Sequence, residues 1–557
     1  MNEIIEKFNK TDLIFIPLGG SGEIGMNCNL YHYKDSWLMI DLGVTFKDER
    51  VESADLFMPD LDFIFKRRDK LCGIILTHAH EDHIGAMPYL YEELNKVPIF
   101  TTAFTASVLK RKFLSTANKD AKINLLEYNK RTRLGPFDIE ILALTHSIPE
   151  PNAVIIKTEK GNIFHTGDWK IDPTPLVGNA IDEKKINEIT SEGIHALVCD
   201  STNVFNITPS GSENDVRENL KKVLRENTKG KIVITCFASN IARLETIALV
   251  SKIYNRSCIL IGRSLKRIYE SASENGYLTK IDKFLNEIEG KNLPDENTVI
   301  ICTGSQGENR AALYKLLNGN NNNFNINSDD LVIFSSREIP GNETQINSLK
   351  NKIRKIGCKI LDHNNSMLHV SGHPSKAELS KMYGWVKPEI LIPVHGEYRH
   401  LLEHSRFAKE SGINSTILVE NGDVVLLDNK KKSRIIEKVF TGRKALKGNR
   451  ILPINKRIFD NQKMVNFEGE ILVVIILDIN DNLNLDPILM LPTILDVDDE
   501  IEKDKIKDYI KELLNELEEK GFTDNILEDY IRKKIRNYMN KYFGLKPLTE
   551  VKIVRSN

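Results

Sequence analysis

The stretch LTHAHEDHIGAMP, residues 76 to 88, sets three histidines and two acids within six residues, at the end of the apolar run CGIIL (72–76). Such a run reads as a buried strand, and at the end of a strand positions two apart face the same side, so His78 and His80 can reach one ion. Asp82 and His83 follow. If a helix begins there (DHIGAMPYLYEEL), neighbouring residues diverge by about 100° and can serve a second ion beside the first. Imidazole nitrogens with a hard carboxylate suit zinc. The zincin motif H-E-x-x-H is excluded, because the third residue after Glu81 is Ile84. A solvated polar loop would also be rich in such residues, but four donors in this spacing behind an apolar strand argue for metal.

The chain has 557 residues, enough for about three domains. A formal net charge of -1 excludes a globally basic nucleic-acid binder, so any polyanion site must be a local patch. The seven cysteines contain no C-x-x-C pair, which removes zinc knuckles and thioredoxin-like chemistry and fits a reducing cytoplasm. MNEIIEKFNKTD lacks the features of a secretory signal, and the longest apolar run, Ile471–Leu477, is far short of a membrane span. A cytoplasmic protein with no membrane partner is expected.

From Leu13 to Ala153 short apolar or alternating runs (LIFIPL, SWLMIDLG, FDIEILAL, NAVIIKT) read as successive strands, with GAMPYLYEELNK as one of few helices. From about 206 strands alternate with helices, the pattern of a parallel, doubly wound α/β unit. NGNNNNFNINSDD (318–330) reads as a surface loop and the basic stretch 430–450 as a linker. Beyond it come the strand EILVVIILDI, a helix with Ile506, Tyr509, Ile510, Leu513, Leu514 and Leu517 on one face, and a second helix carrying IRKKIRNYMNKYF, read as a packing or subunit surface. Gly20, Gly22 and Gly25 match G-x-G-x-x-G after a strand, but the β-rich MNCNLYHYKDSWLMIDLG follows where a dinucleotide site needs a helix. A tight turn is expected instead.

On these residues the sequence resembles the metallo-β-lactamase superfamily, and Asp41 in MIDLG, His146 in LALTHSIPE and Asp168 in HTGDWKID match its further motifs. The resemblance implies one cation at His78, His80 and His146, a second at Asp82 and His83, and Asp168 as the bridge. That leaves the second cation one histidine short. The candidate is His395 in ILIPVHGE, 227 residues beyond Asp168, and the α/β stretch fills the gap. This arrangement resembles the β-CASP branch, whose members act on nucleic acids; Asp200, His373 and His395 match its motifs A, B and C. GGSGEIGMN, THAHEDHIGAMPYL, FASN, TGSQGE, SSREIPGNE, HVSGH and PVHGEYRHL are similar in order and spacing to the ribonuclease J family, over nearly the whole chain. Ala79 stands where that family would have glycine, the asparagine-rich loop is expanded, and the tail matches loosely.

The resemblance implies an αββα metallo-β-lactamase sandwich (1–205 and 365–445), an inserted β-CASP α/β domain (206–364), and a linker with a small C-terminal α/β domain (446–557). It implies a ribonuclease with two Zn2+ per subunit, Mn2+ or Mg2+ being able to serve in assay. The substrate would be single-stranded RNA, preferably 5′-monophosphorylated, cut from the 5′ end with room for internal cleavage, in RNA maturation and mRNA decay. Products would carry a 5′-phosphate and a 3′-hydroxyl, and the assembly would be a homodimer or homotetramer. Asp82 would orient the attacking water, His373 would act as general acid and Asp200 would fix a nearby imidazole. His369, Val370, Ser371, Gly372 and His373 offer imidazole, hydroxyl and backbone N–H groups suited to a terminal or scissile phosphate, with Ser239 and Asn240 beside them by resemblance; for the serines, simple turn chemistry is an equal reading. Arg263 and the 430–450 stretch are candidate backbone contacts. Histidines 32, 165, 195, 363, 400 and 404 are read as structural or surface groups. The rivals are a DNA-cleaving β-CASP nuclease, a lactone or thioester hydrolase, which would not need the inserted domain, and an inactive RNA-binding subunit.

Overall fold

The runs read as strands near the start of the chain build two facing sheets. The first runs in the order Arg434–Lys438, Asp423–Leu427, Leu13–Gly19, Cys28–Tyr33, Ser36–Ile40, Leu71–Ile75, Ile99–Thr101, Ile123–Leu125. The second runs Ser415–Thr416, Ile390–Val394, Ala196–Asp200, Ile163–His165, Asn152–Lys157, Phe137–Ala143, Thr132–Leu134. Leu13–Gly19 and Asn152–Lys157 are buried along their whole length, as strands covered on both faces must be. Phe15, Tyr31, Leu38, Ile40, Phe137, Ile156, Val198 and Ile392 fill the space between the sheets. Behind the second sheet, Leu379, Met382 and Val386 of the helix Lys376–Val386 join Ile186, Ile189 and Trp169 in a second core. This is the expected αββα sandwich.

The structure is a computed structural model and describes residues 8–46, 48, 51, 54, 56–114, 116–339, 341–428, 432–478, 482–496, 499–516 and 523–556. The chain divides into two units, Met1–Thr45 with Met58–Gly442, and Phe46–Phe57 with Arg443–Asn557.

Within the first unit a five-stranded parallel sheet runs Ser257–Ile261, Thr298–Cys302, Ile232–Thr235, Leu331–Phe334, Lys359–Leu361. The chain leaves Ile232–Thr235 toward one edge and Leu331–Phe334 toward the other. Loops at the carboxyl ends of such a strand pair line a crevice, the usual ligand position in open α/β sheets. Here they carry Ser239 and Asn240 on one side and Ser335 on the other.

The second unit has its own core. Glu470–Leu477 alternates strictly, burying Ile471, Val473, Ile475 and Leu477. The helix Glu500–Asn515 contributes Ile506, Ile510 and Leu513, while Leu517 lies outside the described residues. The helix Asp524–Phe543 contributes Leu527, Ile531, Ile535 and Met539, a stripe repeating every four residues.

Of four local expectations two change and two hold. The glycine stretch is a turn, as read, and Gly20, Gly22 and Gly25 all have positive φ. The helix expected over DHIGAMPYLYEEL breaks into two single turns, Glu81–Ile84 and Met87–Leu90, because the backbones of Asp82 and His83 are tied to Asn27 and Leu42. The basic 430–450 stretch is not a linker: its described part holds the strands Arg434–Lys438 and Arg443–Lys447, and Lys438 pairs with Glu420. Charged side chains on an exposed edge strand protect it from pairing with another chain, which gives the linker-like composition. The asparagine-rich segment lacks regular structure as expected, yet it buries Phe324 and Ile326. Among the described residues, no helix is long and apolar enough to cross a membrane.

Candidate metal centre

Strand Leu71–Ile75 ends in Thr77 and His78, strand Ile163–His165 leads to Asp168, and strand Ile390–Val394 ends at His395. The sandwich thus delivers its donors from the ends of both sheets. Donor atoms of His78, His80, His146 and Asp168 lie within 4.8 Å of one another, as do those of Asp82, His83, Asp168 and His395. Asp168 belongs to both groups. A third group of the same size joins Asp168 and His395 to Asp200 and His373.

The hydrogen bonds around the first group settle where its protons are. Asp41 accepts the only hydroxyl proton of Thr77, at 2.9 Å from Oδ2 and 3.1 Å from Oδ1. Thr77 Oγ1 can therefore only accept from His78 Nδ1, 3.0 Å away, and the His78 lone pair stays on Nε2. The Gly372 carbonyl holds the His146 proton on Nδ1 in the same way. Both lone pairs face His80 Nδ1, at 3.1 Å and 3.0 Å. That atom carries one proton at most, so the two crowded lone pairs cannot both be satisfied by it, and an unrelieved repulsion is left in a buried place. A shared cation removes the repulsion, and the donor set therefore fits a metal.

The second group is built differently. His83 Nδ1 is 2.7 Å from Asp41 Oδ2, and its Nε2 lies 3.2 Å from Asp168 and 3.5 Å from Asp82. His395 Nδ1 is 3.0 Å from Asp168 Oδ1, while its buried Nε2 has no hydrogen-bond partner. Asp82 Oδ2 stands 3.2 Å from that nitrogen. Burial pulls His83 and His395 down, but the carboxylates, Asp168 first, outweigh it and hold both well above an ordinary imidazole. In the first group burial dominates: His78 and His146 lie well below the ordinary value and His80 is lowered to about 4.

The turn read as a dinucleotide decoy serves this centre. The Gly20 carbonyl accepts from the His395 backbone N–H at 2.7 Å, and a Cβ on Gly20 would stand 2.3 Å from Asn27 Oδ1. Asn27 Nδ2 in turn is 3.1 Å from His83 Nε2. Asp41 and His395 both have positive φ, at 63° and 53°, the backbone strain often found at working sites.

Around the open side, His373 Nδ1 is 2.8 Å from Asp200 Oδ2. Asp82 and His373 keep 29% and 24% of their side chains exposed, against at most 3% for His78, His83, His146, Asp168, Asp200 and His395, so solvent and substrate reach the centre past these two. Ser239 Oγ meets His80 Nε2 at 2.9 Å. Asn240 is spent inside the protein: its Oδ1 accepts from Arg243 N and its Nδ2 donates to Glu213. Gly372 packs on His146, and Ser371 Oγ accepts from His373 N at 3.1 Å. His369 has a buried Nδ1 with no partner, and the Val370 side chain is buried. His165 bonds Tyr31, His195 bonds Glu389 and Ser433, and His404 bonds Ser201, and none of the three is among the clustered donors. Sequence reasoning missed Thr77, Asn27 and the Gly20 and Gly372 carbonyls. The only signal for Thr77 was its place between the strand and His78.

Three family models match the chain: "Beta-lactamase superfamily domain" at residues 37–184, "Ribonuclease J, beta-CASP domain" at 229–353 and "Zn-dependent metallo-hydrolase RNA specificity domain" at 359–418. Ribonuclease J of Sinorhizobium meliloti is 37% identical over 98% of this chain and 97% of its own length. The chain belongs to the ribonuclease J family. Ribonuclease J of Thermus thermophilus is 33% identical over 76% of this chain and 75% of its own. For Ribonuclease J of Helicobacter pylori (strain J99), at 35% identity, the shares are 75% and 61%. Among solved structures, a protein of unknown function from Enterococcus faecalis V583 superposes with a TM-score of 0.52, covering 75% of this chain and 100% of its own at 17% identity, which speaks for the fold alone. Membership in this family, with the donor cluster, makes the centre that of a metal-dependent hydrolase.

Proposed function

We propose that this metal-dependent ribonuclease binds two zinc ions and shortens single-stranded, 5′-monophosphorylated RNA from its 5′ end, with internal cleavage as a second mode. The observation that carries the reading is the meeting of seven donors from both sheets with the His369–His373 turn, whose Gly372 carbonyl fixes His146. His78, His80, His146 and Asp168 would hold one ion, and Asp82, His83, Asp168 and His395 the other. When bound, the ions supply charge neutralisation for the phosphodiester and make water a competent nucleophile near neutral pH.

The chain's own groups do the rest. Asp82, partly exposed, orients the attacking water. Burial lowers His373, but the Asp200 carboxylate raises it beyond that loss, so the protonated ring persists above its ordinary range. Its Nδ1–H is held by Asp200, leaving the Nε2 proton for the leaving 3′-oxygen. The product then carries a 5′-phosphate and the released strand a 3′-hydroxyl. His369, Ser371, the backbone of 369–373 and Ser239 receive the 5′-terminal phosphate.

We take 206–364 as the inserted β-CASP domain and 446–557 as the C-terminal domain, and place the protein in the cytoplasm as a homodimer or homotetramer. Seven unpaired cysteines support the reducing compartment, and family resemblance supports the assembly, which light scattering measures. The central test incubates the zinc-loaded protein with RNAs bearing 5′-monophosphate, 5′-triphosphate or 5′-hydroxyl ends and with matched DNA. Single 5′-phosphorylated nucleotides, released fastest from the monophosphate RNA, are expected; equal turnover of DNA would overturn the reading.

A further inference from the structure

Arg243, in the helix Ile241–Ile253, is fully buried in the β-CASP part of the chain and takes no role in the chemistry above. Its guanidinium joins three segments remote in sequence. Nε and Nη2 donate to the Glu213 carboxylate at 3.0–3.2 Å. Nη1 donates to the Ser335 carbonyl at 2.8 Å, to Ser335 Oγ and to the Leu368 carbonyl at 2.7 Å. Ser335 Oγ also donates to the Leu368 carbonyl, at 2.8 Å. Leu368 directly precedes the His369–His373 turn.

The same ion pair reaches the opposite wall. Glu213 Oε1 accepts from Asn240 Nδ2 at 3.0 Å, and Asn240 Oδ1 caps the helix by accepting from Arg243 N at 2.9 Å. Asn240 follows Ser239, whose hydroxyl meets His80. A planar fork with fixed donor directions can set three partners at once, whereas a lysine ammonium is a mobile point charge. Ser335 follows directly on Leu331–Phe334 and Ser239 lies beyond Ile232–Thr235, so past the hydrogen bonds that pair these two strands one side chain ties the walls of the crevice together.

We propose that Arg243 is the positioning residue that fixes the distance between the Ser239 turn and the His369–His373 turn, and thereby sets how tightly the 5′-phosphate of RNA is held, without touching it. This rests on the reading that these two turns receive that phosphate. Arg243→Lys keeps the charge and removes the fork; Ser335→Ala is the milder second variant, removing only the hydroxyl between the guanidinium and Leu368.

The experiment uses the full zinc-loaded chain, with metal content and melting temperature as controls, and measures kcat and KM on one RNA sequence with a 5′-monophosphate or a 5′-hydroxyl. For Arg243→Lys, KM on the phosphorylated RNA should rise about tenfold or more, the order expected when a binding group is misplaced by a fraction of an ångström to 1 Å. Because the same turns carry His373 and the partners of His80 and His146, some loss on the 5′-hydroxyl RNA is expected as well, but the loss on the phosphorylated RNA should be clearly larger, and Ser335→Ala should move the same ratio by less. Equal loss on both RNAs, or a preference that survives in Arg243→Lys, would overturn the proposal while leaving 5′-end recognition standing. Should Arg243→Lys fail to fold, Ser335→Ala decides: an unchanged ratio overturns the proposal. A wild-type enzyme indifferent to the 5′ group would remove the underlying reading, and the proposal with it.

Discussion

At His78, His80 and His146 each ring is oriented by an uncharged partner, Thr77, Ser239 or the Gly372 carbonyl, and burial keeps the rings neutral. At His83 and His395 the partners are the carboxylates of Asp41, Asp168 and Asp200, which hold the rings in their charged form when no cation balances them. The first half is thus a set of lone pairs already aimed, and the second a set of negative charges awaiting compensation. If these residues hold cations as proposed, binding at the first half would release fewer protons than binding at the second, where the carboxylates raise His83 and His395. The difference separates the halves by pH: acid weakens the second half before the first.

Asp168 joins the halves, and Asp168→Ala should erase the distinction, with no measurable cleavage and both ions lost by metal analysis; retention of one full equivalent would show that the halves bind independently. His373→Ala leaves all seven donors in place, so zinc content should persist while kcat falls by about 10²–10⁴. A near-normal rate would take His373 out of the chemistry. Thr77→Val strikes chiefly the first half by leaving the His78 tautomer unfixed, though it also removes a proton donor from the Asp41 oxygen that holds His83, and zinc affinity should drop about 10–100-fold in a competition titration. The smallest effect belongs to Asp200→Asn. Because Asp200 raises His373 in the folded protein, the protonated acid survives to higher pH in the wild type, and the alkaline limb of the rate profile should move to lower pH in the variant. A limb that stays put would assign it to another group.

The legibility of the site in the sequence followed the range of its contacts. His78, His80, Asp82 and His83 lie on one turn, where spacing alone announces metal chemistry. Asp168 and His395 carry no such local mark; a lone acid after a strand has many readings, and only family resemblance selects them. Thr77, Asn27 and Arg243 were invisible for a stronger reason, since each acts through hydrogen bonds or an ion pair to partners far along the chain. Thr77 answers to Asp41, Asn27 to His83 and Arg243 to residues 213, 335 and 368. The fold was read well where burial forces a pattern, as in the two-sided strands of the parallel sheet, and poorly where composition mimics another state. The basic strand Arg434–Lys438 looks like a linker because an exposed edge needs charge. Nothing in the composition of Phe46–Phe57 shows that it belongs with the unit beginning at Arg443.

The 227 residues between Asp168 and His395 also have a consequence in time. A ribosome adding about 5–20 residues each second needs roughly 10–45 s to cross them. During that interval the growing chain, held beside the message it is read from, carries the histidine half of the centre and lacks the last donor of the other. If the centre needs His395 as proposed, it stays incomplete until most of the chain has been made.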